Sequence, residues 1–270
     1  MEIKTNIKDN KLLDEFSGKL LGGKIQIASN RGYPFNKKKK QQDAVGSAVI
    51  NENIFLNIVA DGVGGSENGE FASRYVVEEM IKWFIEIEKD KFNDLENITN
   101  LLIKEIYGIG FDIYMLSEYD ALTTFVLALT TQNQTIIANE GDSTVYSFNE
   151  KENKLQRLST IDSWSGNLSY DEVRNHPFNN ILTAYLGDRK GFTPNINVID
   201  NEGQRLILST DGVTDLVSEQ RFISYFLNKY GAKEIVQDVL FNPEIDNVTK
   251  KEDNISAIVV DFSKSKVLKK

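Results

Sequence analysis

Three aspartates lie where apolar runs of the sequence end or begin, which is where strands bring distant side chains together. Asp61 and Asp211 each follow an apolar run and precede a glycine, and Asp253 stands just before a third run. If Ile255–Phe262 runs antiparallel beside Arg205–Thr210, Asp211 and Asp253 face each other at one edge of a sheet. Like charges that close repel strongly. The spacing therefore predicts either a cation site or a site where one acid stays protonated.

Two further aspartates have weaker signals. Asp142 follows Gly141 at the end of another apolar run, and Asp43 precedes the run Ala44–Ile50. Each of these by itself is more typical of a turn or a cap than of a ligand. The Asp-Gly pairs at Asp61 and Asp211, taken singly, are likewise among the commonest turn dipeptides. After Asp61, the glycines of the stretch 62–65 would let a main-chain carbonyl approach a metal without steric hindrance. The combination, rather than any one aspartate, indicates a metal site.

Composition narrows the metal that such a site could hold. The 270 residues include no cysteine and one histidine, His176. This excludes disulfides, thiolate zinc sites, cysteine nucleophiles and clusters of histidine ligands. Oxygen ligands alone favour Mg²⁺, Mn²⁺ or Ca²⁺. A simple Ca²⁺-binding domain is disfavoured, because the alternating Asp/Asn pattern of an EF-hand loop does not occur.

Net charge and hydropathy indicate which binding partners and which cellular location to expect for this protein. The net charge of −9 argues against broad nucleic-acid binding. The longest apolar runs are far shorter than a membrane span, and the N-terminal residues do not show the pattern of a secretory signal. We therefore expect a cytoplasmic protein that binds no nucleic acid and is not inserted in a membrane.

Hydrophobic periodicity predicts several strands and four main helices. Short apolar runs separated by polar turns read as strands, most of them in hairpin pairs, and apolar residues at helical spacing predict helices between them. The resulting class is α+β, with helices packed outside antiparallel sheets. The predicted strands are 44–50, 54–61, 123–130, 135–139, 144–148, 154–158, 195–199, 205–210 and 255–262, and the predicted helices are 69–88, 95–116, 216–230 and 232–241.

Five short motifs follow one another in a fixed order along the chain. They are Gln42-Asp43-Ala44, Asp61-Gly62-Val63-Gly64-Gly65, Gly141-Asp142-Ser143, Ser209-Thr210-Asp211-Gly212-Val213-Thr214-Asp215 and Asp253-Asn254-Ile255-Ser256. The series resembles the metal-dependent protein phosphatases of the PPM type, also called the phosphatase-2C family, and above all its compact bacterial branch. The match runs from about 28 to 261. It implies one phosphatase-like catalytic domain over 1–270, with a motif-bearing core at about 25–262.

The resemblance implies a fold and a metal centre. The fold would be a four-layer sandwich in which two central antiparallel β-sheets are flanked by α-helices. Two Mn²⁺ or Mg²⁺ ions would lie at one end of it. Asp61 would bridge both ions, the Gly62 carbonyl would complete one of them, and Asp211 and Asp253 would hold the other. Asp142 would join Asp211 in a third, weaker site.

The remaining site residues also follow from the resemblance. Asp43 would act mainly through metal-bound water. Relatives usually carry an arginine five residues before this aspartate to hold the substrate phosphate, but here the position is Lys38. Either Lys38 or the upstream Arg31 would take that role, and lysine would bind phosphate as a point charge without arginine's two-pronged geometry.

The implied activity is hydrolysis of phosphoserine and phosphothreonine in proteins by a metal-activated water, with Asp61, Asp211 and Asp253 as the catalytic residues. Its partners would be phosphorylated protein substrates and a cognate serine/threonine kinase, and we expect a monomer. One alternative is a catalytically weak or silent relative that acts as a regulatory binding module. A second is another carboxylate-based two-metal enzyme, such as a nuclease or nucleotide phosphohydrolase.

Overall fold

Two antiparallel β-sheets lie face to face at the centre of the fold, and helices pack on their outer faces. The computed structural model describes residues 1–32, 40–66, 68–117, 120–188, 193–201, 204–244 and 253–262. The expected α+β sandwich is therefore confirmed. Within the described residues, no helix is both long enough and apolar enough to span a lipid bilayer.

The strands follow one another as short, mostly paired segments. In chain order they are β1 Glu2–Thr5, β2 Ile7–Lys8, β3 Lys11–Leu12, β4 Glu15–Leu20, β5 Ile25–Asn30, β6 Asp43–Asn51, β7 Ile54–Asp61, β8 Phe125–Thr130, β9 Gln134–Glu140, β10 Thr144–Asn149, β11 Lys154–Arg157, β12 Asn195–Asp200, β13 Arg205–Ser209 and β14 Ile255–Asp261.

The α-helices are α1 Gly69–Glu86, α2 Leu95–Leu116, α3 Tyr170–Arg174, α4 Asp211–Thr214, α5 Glu219–Leu227 and α6 Ala232–Phe241. Short 3₁₀ turns cover Leu21–Gly23 and Lys89–Asn93.

Each sheet contains six strands in the described residues. The first sheet has the order β1-β6-β7-β8-β9-β12, and the second has the order β11-β10-β13-β14-β5-β4. All neighbouring strands in both sheets are antiparallel. The β2 and β3 segments form a separate small hairpin. Antiparallel pairing brings the end of one strand beside the start of the next, which is the geometry that the aspartate motifs need.

The central strands are buried on both faces, and this explains their continuous apolar runs. In β7, Phe55 and Val59 belong to the core between the two sheets, whereas Leu56, Ile58 and Ala60 belong to the core beneath the helices. Because successive side chains of a strand point to opposite faces, a strand between two apolar layers needs apolar residues at every position. The core therefore consists of one layer between the sheets and one outside each sheet.

The helices cover the outer faces in pairs. Helices α1 and α2 pack on the first sheet, and α5 and α6 pack on the second. Gly46 in β6 allows α1 to approach closely, because a Cβ atom there would lie only 2.6 Å from Ile81 Cδ1 and 2.7 Å from Val77 Cγ1. A larger residue at this position would push the helix away from the sheet.

Three sequence expectations need correction. The predicted strand 123–130 begins only at Phe125, because the backbones of Thr123 and Thr124 bond to Leu186 and Asp61 instead of continuing the ladder. The predicted helix 216–230 is confined to Glu219–Leu227 and follows the separate short α4. The strands within residues 1–30 were not predicted, although β4 alternates exposed polar residues with more buried ones.

A bidentate ion pair joins α5 to α6. Arg221 Nη2 and Nε donate to the two carboxylate oxygens of Asp238 at 2.8 and 3.0 Å, and the Tyr225 hydroxyl donates to the same carboxylate at 2.8 Å. Burial alone would raise the pKa of Asp238, but the hydrogen bonds from Arg221 and Tyr225 hold it below its ordinary value. This pair therefore stabilises the helical layer on the second sheet.

We expect Asp238→Asn to lower the free energy of unfolding at pH 7 by about 1–3 kcal/mol, because two charge-assisted hydrogen bonds lose their ionised acceptor. A carboxyl whose pKa is lower in the folded state contributes stability above about pH 4 and loses it as the pH falls through the folded pKa. The difference between variant and wild type should therefore shrink below about pH 4. Urea unfolding at pH 7 and below about pH 4 measures this difference in the free energy of unfolding, and the exposed variant Asp90→Asn is the control. A difference that is independent of pH would contradict this assignment.

Candidate active site

Asp43 and Asp61 are directly opposite each other in the ladder between β6 and β7. Two residues away in the same ladder, Val45 pairs with Val59, and both valines belong to the core between the sheets. Since side chains alternate along a strand, the two aspartates face the second sheet as well. Opposed residues of antiparallel strands have Cβ atoms about 4.5–5.5 Å apart, so these carboxyl groups are close neighbours.

Asp211 and Asp253 come from the second sheet. Strands β13 and β14 are antiparallel, with Ser209 opposite Ala257, so the loops that carry the two aspartates leave the same edge. A Cβ atom on Gly212 would lie 1.9 Å from the Asn254 carbonyl oxygen and 3.6 Å from Asp253 Cβ. The predicted juxtaposition of these two loops is confirmed, and the contact requires glycine at position 212.

The five candidate aspartates share one electrostatic environment. Burial raises the pKa of Asp61 well above its ordinary value, and the charges of Asp43, Asp211, Asp253 and Asp142 raise it further. Burial is also the main reason why the pKa of Asp43 rises to about 8, even though hydrogen bonds from hydroxyl groups oppose the rise. Such a group of acids has a strong preference for a proton or a cation among them.

Asp142 approaches the others through a strained turn at the end of β9. Gly141 has a φ of +100°, and a Cβ atom there would lie 2.5 Å from Thr124 Cβ, so only glycine fits. Its N–H donates to the Asp162 carboxylate at 3.1 Å. Asp142 and Asp211 line the same small pocket at this edge of the sheets. Both residues therefore border one pocket.

The loop after Asp61 packs against the start of α1. A Cβ atom on Gly62 would lie only 2.3 Å from the Gly69 carbonyl oxygen. The Gly62 N–H donates to the Gln42 carbonyl at 3.1 Å, which ties the loop to the strand that carries Asp43. Two glycines therefore make the close approach of loop and helix possible.

Two threonines that the sequence did not assign a role hold the end of β7. The Asp61 carbonyl accepts hydrogen bonds from the Thr124 N–H and from the Thr123 hydroxyl, both at 2.8 Å. The Thr124 hydroxyl in turn contacts the Ser143 hydroxyl at 2.8 Å, next to Asp142. These contacts fix the backbone that presents Asp61. The sequence pattern placed both threonines inside the predicted strand 123–130 and gave no signal of this role.

A buried chain of hydroxyl groups links Asp43 to the second sheet. The Thr210 hydroxyl donates to Asp43 Oδ2 at 3.0 Å and accepts from the Ser256 N–H at 3.2 Å. The Ser256 hydroxyl continues to the Ser29 hydroxyl at 2.8 Å, and Gln41 Nε2 donates to the same Ser29 oxygen at 2.6 Å. This network positions the Asp43 carboxyl from both sheets.

Asn254 joins three segments near the aspartates. Its side-chain oxygen accepts from the Gln42 N–H at 2.7 Å, and its side-chain nitrogen donates to the Arg31 carbonyl at 2.8 Å. The side chain thus holds the segments before Asp43 and after β5 against the loop of Asp253. The sequence shows Asn254 only as a member of the last motif, without this role.

The structure describes only one of the two candidate phosphate-binding residues, Arg31. Arg31 is mostly buried, and its Nη1 atom forms an ion pair with Asp14 Oδ2 at 3.2 Å. Lys38 lies outside the described residues. Lys40, the first described residue after that gap, pairs with Glu70 in the first turn of α1 at 3.1 Å.

The donor set fits hard divalent cations. Asp43 Oδ1 is buried and has no hydrogen-bond partner among the described residues, so it remains available to a cation or to a water held by one. All candidate donors are oxygens, which suits Mg²⁺ or Mn²⁺. Among the described residues, however, no three acidic or imidazole side chains are already drawn together as a complete ligand group.

A family model described as "Protein phosphatase 2C" matches residues 35–238. Among curated proteins, the serine/threonine phosphatase stp of Listeria welshimeri is 32% identical over 222 residues, which cover 78% of this chain and 85% of that protein. Protein phosphatase PhpP of Streptococcus pneumoniae is 27% identical over 194 residues, which cover 67% of this chain and 76% of that protein.

Solved structures give the same result. The serine/threonine phosphatase Stp1 from Staphylococcus aureus superposes with a TM-score of 0.75 at 25% identity, covering 88% of this chain and 94% of that one. A bacterial serine phosphatase has a TM-score of 0.75 at 26% identity, covering 90% and 99%. The match extends over most of the sequence and over the arrangement of sheets and helices. This chain belongs to the protein phosphatase 2C family.

Proposed function

We propose that this chain hydrolyses phosphoserine and phosphothreonine in proteins, with two Mn²⁺ or Mg²⁺ ions held by the clustered aspartates. Family membership implies dependence on a divalent metal. The observation that carries the proposal is the direct opposition of Asp43 and Asp61, within electrostatic range of Asp211, Asp253 and Asp142. The relatives with which the chain aligns are named serine/threonine phosphatases.

Each aspartate has a proposed role. Asp61 would hold both ions, and the Gly62 carbonyl would be a further ligand of one of them. Asp211 and Asp253 would hold the other ion. Asp142 would share a third, weaker site with Asp211. This division is supported by the two β-sheets, each of which supplies ligands from the same edge of the sandwich.

Asp43 has a different proposed role. In this proposal it orients water: its Oδ2 atom accepts from the Thr210 hydroxyl, and its Oδ1 atom, which has no partner among the described residues, would accept a hydrogen bond from a water held by an ion.

In the proposed reaction, the ions and the protein make different contributions. When bound, divalent ions lower the pKa of water and neutralise charge on a phosphoryl group. The protein fixes the ligand positions through buried hydrogen bonds, such as those of Thr123 and Thr124 to the Asp61 carbonyl. A basic side chain, Lys38 or Arg31, binds the phosphoryl oxygens of the substrate.

The partners follow from the same proposal. Substrates are phosphorylated proteins, and a serine/threonine kinase that makes them is the natural counterpart. The alternative is a catalytically silent relative that acts as a binding module. The presence of all five aspartates at their motif positions favours an active enzyme over a silent relative.

We expect Asp211→Asn to reduce Mn²⁺-dependent hydrolysis of p-nitrophenyl phosphate and of a phosphothreonine peptide by at least about 100-fold, because the variant loses an anionic ligand at the reacting centre. The fold should remain, since an amide has the same shape as the carboxylate. Circular dichroism and turnover with and without Mn²⁺ measure both effects. Exposed Asp90→Asn is the control. Near-wild-type turnover by the Asp211 variant would exclude this residue from the centre.

We expect Asp61→Asn to raise the melting temperature in EDTA by about 2–4 °C or more, because it replaces a buried carboxyl whose ionisation is opposed by burial and by the neighbouring aspartates. The same variant should show a smaller increase in melting temperature on addition of Mn²⁺ than wild type does. Differential scanning calorimetry measures both changes, with exposed Glu150→Gln as the control. A lower melting temperature in EDTA together with an unchanged response to Mn²⁺ would refute the bridging role.

We expect Lys38→Ala to raise KM for a phosphoserine peptide by about tenfold or more, whereas Arg31→Ala should have a smaller effect. The physical reason is that Arg31 is already paired with Asp14, and Lys38 stands at the position that the family uses for phosphate. Steady-state kinetics on purified variants measure this. If Arg31→Ala has the larger effect on KM, Arg31 is the phosphate-binding residue instead.

A further inference from the structure

An open groove of about 470 Å³ lies on the helical face of the first sheet, between the C-terminal half of α1 and the N-terminal half of α2. Its apolar lining comes from Trp83, Ile87 and Leu101, each of which is partly exposed. Trp83 and Ile87 also pack against the core beneath them, which holds them in place. The groove thus offers a fixed apolar floor that is open to solvent.

The rim of the groove is acidic. Four glutamates and two lysines line it, and each lysine is paired with a glutamate: Lys82 with Glu79 at 3.2 Å and Lys91 with Glu88 at 3.5 Å. The two other rim acids, Glu86 and Glu105, form no ion pair with a described residue.

The acidic field extends beyond the rim. Burial raises the pKa of Glu105, and the charges of Glu79, Asp112 and Glu86 raise it further while Lys82 opposes them, so negative charge outweighs positive charge around this glutamate. Such a field attracts cations and repels acidic or phosphorylated groups. The chemistry of the rim therefore differs from what a phosphate-binding surface would require.

The groove is separate from the aspartates. Helix α1 begins at Gly69, which contacts Gly62, and Trp83 lies fourteen residues further along the same helix. At 1.5 Å per residue, the groove is about 20 Å from the glycine loop. A ligand in the groove would therefore not block the aspartates.

We propose that this groove docks a basic amphipathic segment of a partner protein, with its bulky apolar residues on Trp83 and its lysines or arginines facing Glu86 and Glu105. An apolar floor supplies the area that can be buried, and the unpaired rim charges select a cationic partner over an acidic one. The proposal does not depend on catalysis, so it can fail or hold independently of the phosphatase assignment.

Trp83 provides a direct readout. The chain has two tryptophans, and Trp164→Phe leaves Trp83 as the single tryptophan. We expect a synthetic 14-residue amphipathic peptide of lysine and leucine to change the Trp83 emission saturably, and the affinity to fall with added salt. A peptide of the same length with glutamate in place of lysine should give no change. Equal binding of both peptides, or no response of Trp83, would overturn the proposal.

The charge of the rim is tested by paired variants. In this background, Glu86→Lys with Glu105→Lys should weaken binding of the lysine peptide by at least about tenfold. Glu150→Lys with Glu152→Lys in the turn between β10 and β11 changes the net charge equally and should leave affinity unchanged. Circular dichroism and p-nitrophenyl phosphate turnover should match wild type in both. Equal losses in both double variants would mean non-specific attraction and would overturn the proposal.

Two other occupants of the groove, the basic end of this chain and a second copy of the chain, would give different experimental results. If a chain ending at Phe262 binds the lysine peptide more tightly than the full chain, the groove serves the basic end of this chain. If sedimentation shows a dimer that the groove variant abolishes, the groove serves a second copy. Either result would overturn the assignment to a partner protein. Support for a partner protein would be an unchanged affinity for the lysine peptide after truncation, together with a monomer for both the wild type and the groove variant.

Discussion

Asp43 and Asp61 place two carboxyl groups directly opposite each other in a buried ladder, and the cost of ionising both of them is the constraint on which the site depends. Opposed carboxylates in adjacent strands destabilise a sheet unless something compensates them. Here the environment concentrates the charge further, because burial and three more aspartates raise the pKa of Asp61. In the proposed function, this arrangement costs stability in the metal-free fold and provides the affinity for cations.

The rest of the sandwich provides the rigidity that this requires. Thr123 and Thr124 hold the backbone carbonyl of Asp61, and Thr210 holds the carboxyl of Asp43. Both β-sheets contribute to this set of contacts, so the aspartates can be aligned only when the two sheets are packed together. The buried valine and isoleucine core between the sheets is therefore also the framework of the site. Packing and chemistry depend on the same interface.

The outer helices have a different relation to the site. Helix α1 contacts the glycine loop at its first residue, while its other end forms one wall of the acidic groove. Because the helix is held along the first sheet by the close approach at Gly46, the two regions are fixed at opposite ends of one rigid element. The groove can thus recruit a partner while the aspartates remain accessible.

The sequence by itself determined the class of fold and the identity of the candidate ligands. Apolar runs that are buried on both faces can be recognised without a structure, and the aspartates are visible because a charged residue interrupts such runs. The absence of cysteine and the single histidine also left oxygen ligands as the only choice. These are local properties, and residue type and spacing are enough to fix them.

Only the tertiary structure decided which distant groups meet. The pairing of Asp43 with Asp61 depends on strand register, and a shift by one residue would turn one of them to the opposite face. The roles of Thr210, Ser256 and Asn254 depend on contacts between segments up to 227 residues apart. The acidic groove likewise arises from two helices whose sequences, taken separately, show only ordinary amphipathic patterns. Register and the packing of separate elements are set by the whole chain, so no local pattern could reveal them.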